Sequence, residues 1–124
     1  MKTLRCPIAG AIVAVCWEYR TRLLAVARGL ARDVDAYFIN SSAFDVTGDG
    51  ARERVRVVAR YADRDVLRSG WLLGEKYLAG KIALAEVTLG QGRVVLFGFR
   101  PQHRGQTWGT FPFIWNAINL SAGK

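Results

Sequence analysis

Length and composition allow one folded domain and exclude disorder: 124 residues, half of them hydrophobic, include four tryptophans and can bury a single core. The net charge is +8, carried mostly by arginine, and pI lies near 10.2. Such a surface can attract nucleic acid, an anionic membrane or an acidic partner, or it can simply keep the chain soluble. Cys6 and Cys16 lack CxxC spacing and neighbouring histidines, so neither a disulfide framework nor a zinc site is expected, and reduced, buried thiols are.

In chain order, residues 8–15 come first. They are apolar on both faces, as in a central strand of a covered sheet. Lys2 and Arg5 ahead of that run resemble the start of a signal segment. The run is short, however, no A-x-A site follows, and Val15 stands before Cys16 where a lipoprotein signal needs a small residue, so a buried strand is expected. No stretch approaches the length of a transmembrane helix. Residues 18–34 change period. Leu23, Ala27, Leu30 and Val34 fall on one helical face, although Gly29 costs that helix about 1 kcal/mol relative to alanine.

Turn signals at Asn40-Ser41-Ser42 and at residues 47–50 bracket a short segment, 43–46. Residues 52–61 then alternate, with Arg52, Arg54 and Arg56 on one side and Val55 and Val57 on the other, which is a strand with one wet face. Asp63-Arg64-Asp65 begins a local turn. The apolar runs 82–89 and 93–99 read as two strands reversed by Gly90-Gln91-Gly92, because glycine takes up positive φ without steric cost. A polar loop, 100–107, leads to a last helix that Thr110 could cap, with Pro112 in its first turn. Its apolar stripe is Phe111, Ile114, Trp115 and Ile118. With no repeat, low-complexity tract or linker, residues 1–124 form a single α/β domain with helices packed on a sheet.

Little of this carries chemistry. Cys16 lies between a predicted strand and a predicted helix, as a nucleophile would. Its neighbours Val15 and Trp17 are too large for a nucleophile elbow, and the lone histidine, His103, would have to be its base. One histidine and scattered acids do not supply the three ligands of a catalytic zinc, and no cofactor is implied. Gly90-Gln91-Gly92 precedes a strand instead of opening a helix, so a hairpin turn explains it better than a phosphate cradle.

Arg52, Arg54, Arg56 and Arg60, with Arg64 and Arg68 nearby, form a basic stripe that could neutralise phosphates while Tyr61 and Trp71 stack on bases. Interleaved Glu53, Asp63 and Asp65 favour a salt-bridged surface instead. In the polar loop, Arg100, Gln102, His103, Arg104, Gln106 and Thr107 could hold a carboxylate or a partner's backbone. They could also brace the strand-to-helix crossover by satisfying buried carbonyls, which ranks higher.

The segments GWLLGEKYLAG and GQGRVVLFGFRPQHRGQTWGTF, with the ending NAI, carry a resemblance over residues 37–120. This part is similar to the C-terminal, glutamine amidotransferase-like domain of bacterial zinc carboxypeptidase-like proteins, in which it follows a carboxypeptidase A-like catalytic domain. The resemblance implies an incomplete flavodoxin-like, class I amidotransferase-like sheet with flanking helices, and a non-catalytic accessory role. It carries neither zinc ligands nor the amidotransferase Cys-His-Glu triad onto this chain, and residues 1–36 remain an unassigned strand and helix.

An incomplete sheet leaves an unpaired edge, which favours a homodimer or docking on the peptidase domain. The interaction loop is therefore assigned to the six residues just named, with Trp71 as a buried anchor, Glu75 beside it, and Arg100 making bidentate hydrogen bonds. The alternatives are a nucleic-acid or anion-binding module on the basic stripe and a cysteine hydrolase on Cys16. Location follows the same fork: cytoplasmic if Met1 is retained, periplasmic or secreted if the chain follows the related peptidases.

Overall fold

The computed structural model describes residues 2–6, 10–17 and 25–122. Its organising element is a long antiparallel ribbon. Strand β1 (Lys2–Cys6) pairs with β4 (Ser41–Asp45), and β2 (Ala11–Trp17) pairs with β3 (Asp33–Phe38), so the same two chain segments run side by side twice. A corner at Ile39–Asn40 breaks the ribbon. Asn40 takes φ 43°, a conformation asparagine tolerates well, and the Ser41 hydroxyl holds the turn by donating to Ile39 O and accepting from Ile39 N.

The two halves of the ribbon reach opposite ends of one sheet. Between them lie β7 (Ile82–Leu89) and β5 (Val55–Tyr61), giving the order β1-β4-β7-β5-β2-β3. Strand β6 (Leu67–Gly70) pairs with β2, and β8 (Gly92–Phe97) pairs with β7 through a two-residue turn in which Gly90 takes φ 58°. Every pairing among the described residues is antiparallel, and the sheet curls into a half-barrel.

The flavodoxin-like expectation is thereby corrected. A doubly wound sheet needs parallel strands joined by crossover helices. Here the described helices are the four-residue α1 (Asp49–Arg52), short 3-10 turns and the terminal α2 (Phe111–Ser121). The fold is mixed α/β only in the coarse sense of a sheet with a helix on it. The helix expected over 18–34 is also corrected where the structure describes it, at residues 25–34. Within its described part a 3-10 turn, Ala25–Ala27, leads into strand β3, while 18–24 lie outside the described residues. Val34, taken as the end of a helical stripe, is the first buried position of a strand whose burial alternates.

The main core joins Val13, Val15, Phe38, Val58, Tyr61 and Phe113 among others, and α2 closes it together with the Ala25–Ala27 turn. Phe113 meets Phe97 and Phe99 edge-on, with centroids 6.4 and 5.9 Å away, and Asn116 Nδ2 donates to Val26 O and Arg28 O at 2.9 Å. A smaller cluster of Phe44, Ile82 and Ala85 takes in Val57, whose neighbour Val58 belongs to the main core, so β5 buries side chains on both faces. Strand β7 likewise divides its buried residues, Ala83 and Leu84 in the main core and Ile82 and Ala85 in the smaller one, which accounts for its apolar first half without any parallel pairing.

Candidate interaction surface

The polar loop 100–107 lies along the outer edge of β3 and uses its polar groups there. Arg100 N donates to Tyr37 O at 2.9 Å, Arg100 Nε to Ile39 O at 3.1 Å, and Thr107 Oγ1 to Asp35 O at 2.6 Å. Residues 35 and 37 alternate along β3, so theirs are carbonyls an added strand would otherwise capture, and Ile39 O continues the same spacing into the corner. His103 and Gln106 close a tight turn through reciprocal backbone bonds of 2.7 and 2.9 Å, with Arg104 (φ 50°) and Gly105 (φ 76°) at its tip. The His103 ring stacks on Tyr37 at 4.5 Å, nearly parallel.

Behind the turn, the fully buried Thr110 hydroxyl donates toward Pro101 O and Thr107 O, both at 2.8 Å. It makes no side-chain cap for α2, the role expected of it, although Pro112 does sit in the first turn. Gln102 and Arg104 are exposed, and Gln106 exposes its side chain. Bracing of the crossover is thus what Arg100 and Thr107 do in this fold, and Arg100 bonds single backbone carbonyls where a bidentate pairing was expected.

Trp71 and Glu75 part company. Glu75 Oε1 accepts Val66 N at 2.5 Å and so braces the strand entering β6, whereas Trp71 is 71% exposed. Trp71 follows Gly70, whose backbone abuts Gly10, and the Tyr37 hydroxyl lies over Gly10. A relay of contacts therefore leads from its neighbourhood to His103. Tyr77 and Leu73 are exposed on the same connection.

The basic stripe does not form as a uniform row. Arg52 lies in α1 and not in the strand, Arg54 and Arg56 are exposed at the start of β5, and register irregularities follow between Val57 and Arg60. Arg60 Nη1 donates to Gly80 O at 3.1 Å, and Arg68 pairs with Asp35 at 3.6 Å. The buried Glu86, opposite Arg56 in the sheet, pairs with Arg93 at 3.3 Å.

Cys16 lies inside β2, opposite Asp33, and not at a strand-to-helix elbow. Burial first, then the hydrogen bond and negative charge of Asp33, push its thiol up to about 11, so at neutral pH it is protonated and a weak nucleophile. Among the described residues no group of three or more His, Cys, Asp or Glu side chains converges as metal ligands. No described helix is long and apolar enough to cross a membrane.

The surface the sequence pattern concealed is the outer side of α2. Trp115 and Ile118, expected in the core stripe, are 64% and 52% exposed, while Phe113, outside that stripe, is the buried anchor. The 3-10 turn Trp108–Thr110 precedes the helix and sets Trp108, 82% exposed, three residues ahead of Phe111. Trp108, Phe111, Trp115 and Ile118 thus follow helical spacing along one line. Beside Trp108 an open groove of about 480 Å³ is lined by Asp33, Asp35, Gln106 and Thr107.

The signal for this face was present in the sequence as an absence of charge. From Gly105 to Gly123 there is no acidic or basic residue, in a chain where 23% of residues are charged. Comparison with known proteins adds no relative: no family model, no curated protein and no solved structure matches the chain.

Proposed function

We propose that this chain is a non-catalytic docking domain, an accessory unit that works by covering its outward helix face with a protein partner. The observation that carries this reading is the line of large apolar side chains on α2 and the turn before it, Trp108, Trp115 and Ile118, each more than half exposed. Aromatic residues in this position contribute large contact area at low entropic cost and dominate the energetics of interfaces. The resemblance of residues 37–120 to the tail of zinc carboxypeptidase-like proteins, whose flavodoxin-like sheet this fold does not have, enters only as the source of one partner to test, a carboxypeptidase A-like catalytic domain. The protonated Cys16 thiol and the His103 ring stacked on Tyr37 speak against hydrolysis by Cys16.

Titration of the full chain with a purified carboxypeptidase A-like catalytic domain, followed by tryptophan emission, tests the reading. A blue shift that saturates, and that Trp108→Ser abolishes, is the expected result. If neither that domain nor a second copy of the chain alters the tryptophan signal, the docking role is wrong.

A further inference from the structure

We propose that the occupant of the α2 face is a second copy of this chain, bound helix to helix about a two-fold axis. This inference rests on the docking reading above and names its partner. Area is the first argument. At the exposures given, Trp108, Trp115 and Ile118 together offer roughly 400 Å² of apolar surface per copy, taking aromatic side chains at up to 250 Å² each. Doubled, that is roughly 800 Å², below the ~1,000 Å² at which specific, stable interfaces begin, so the contact is sized for a weak, reversible dimer.

Charge is the second argument. Two copies of +8 repel, and the uncharged stretch 105–123 is the part of the surface through which they can approach at least cost. An acidic partner, the natural complement of a basic protein, would instead meet Asp33 and Asp35 beside Trp108. A two-fold axis near Trp115 is self-complementary: Phe111 of one copy meets Ile118 of the other, and the helices themselves bring no charged side chain to the contact.

The sheet edges are weaker candidates for the same contact. Loop 100–107 already occupies β3 carbonyls, whereas among the described strands β8 pairs with β7 alone and leaves Val94 40% exposed. Strand β8 is therefore the rival to be separated by experiment.

Sedimentation equilibrium of the full chain at low and high salt, for the wild type, Trp115→Glu and Val94→Lys, makes that separation. The expected result is a reversible dimer for the wild type and Val94→Lys, undiminished at high salt because screening removes repulsion. Trp115→Glu should weaken the dimer by roughly 30-fold or more while leaving the circular dichroism unchanged. Ile118→Lys serves as the second variant if Trp115→Glu does not fold, with the same outcome expected.

A wild type that stays monomeric overturns the inference, as does a dimer untouched by both helix variants or lost in Val94→Lys. A monomer that nonetheless binds the carboxypeptidase A-like domain through Trp108 would overturn only the choice of a second copy and leave the docking role standing.

Discussion

Gly98 illustrates how single residues hold this fold. It lies where β8 hands the chain on to the loop, with Ser42 N donating to Gly98 O and Gly98 N donating to Ala83 O, both at 2.7 Å. A Cβ there would run into Ser42 O, Ala83 O and the Tyr61 hydroxyl, which itself donates to Ser42 O at 2.8 Å. Since two of the three obstacles are backbone, the site cannot relax by rotating a side chain. Gly98→Ala should therefore cost about 1–3 kcal/mol, read as a lower urea midpoint. An unchanged midpoint would mean that the junction is looser than described.

Cys16 gives a test of the same kind in chemistry. In a Cys6→Ser background, with its thiol pushed up to about 11, its thiolate population at pH 8 should be about two orders of magnitude below that of an ordinary cysteine. The greater nucleophilicity of a more basic thiolate recovers about one order, so alkylation by iodoacetamide should run roughly tenfold slower than on free cysteine. A rate equal to or above the free thiol's would contradict the assignment.

The stability linkage has the same sign as for any group whose pKa is raised on folding. The contribution of the neutral thiol is fully present below its ordinary value of 9.0 and is lost as pH rises through about 11. Tyr61, which burial holds well above its ordinary value, adds to the same alkaline loss beyond pH 10.

Among the elements, α2 shows most clearly what sequence periodicity can and cannot deliver. Its existence, its proline in the first turn and its amphipathic spacing were all legible. The face it buries was not, because Phe111, Trp115 and Ile118 also repeat at helical spacing and are larger in sum than the buried set built around Phe113. The choice between two apolar faces is made by tertiary contacts, here the Phe97, Phe99 and Phe113 cluster and the Asn116 bonds to Val26 and Arg28. Phe113→Ala should cost about 3–5 kcal/mol in urea unfolding. Trp115→Ala, measured at concentrations where the chain is monomeric, should stay within about 0.5 kcal/mol. Equal costs would return Trp115 to the core.

The strands tell a similar story. The runs 82–89 and 93–99 and the glycine turn between them were read with nearly correct limits, since β-branched runs and a two-residue reversal are local signals. Pairing direction is not local. A strand buried on both faces has the same composition in a parallel sheet as in a curled antiparallel one, and that ambiguity led to the flavodoxin-like expectation. The described part of the expected 18–34 helix, residues 25–34, differs for a related reason, because a repeat of apolar side chains there crosses a boundary between a 3-10 turn and a strand.

At the scale of the whole molecule, the half-barrel puts nearly all polar machinery to structural use. Arg100 and Thr107 occupy an edge, Glu75 braces a strand entry, Arg93 answers a buried Glu86, and among the described residues no buried side-chain nitrogen or oxygen is left without a partner. The proposed docking face is apolar and outward, on a helix without charge in a protein of +8. The central claim is that a second copy of this chain covers this face, and the mass in solution by light scattering, at low and high salt and without added partner, tests it most directly. The account requires twice the chain mass at working concentration, retained at high salt. A single-chain mass at both salts would contradict it.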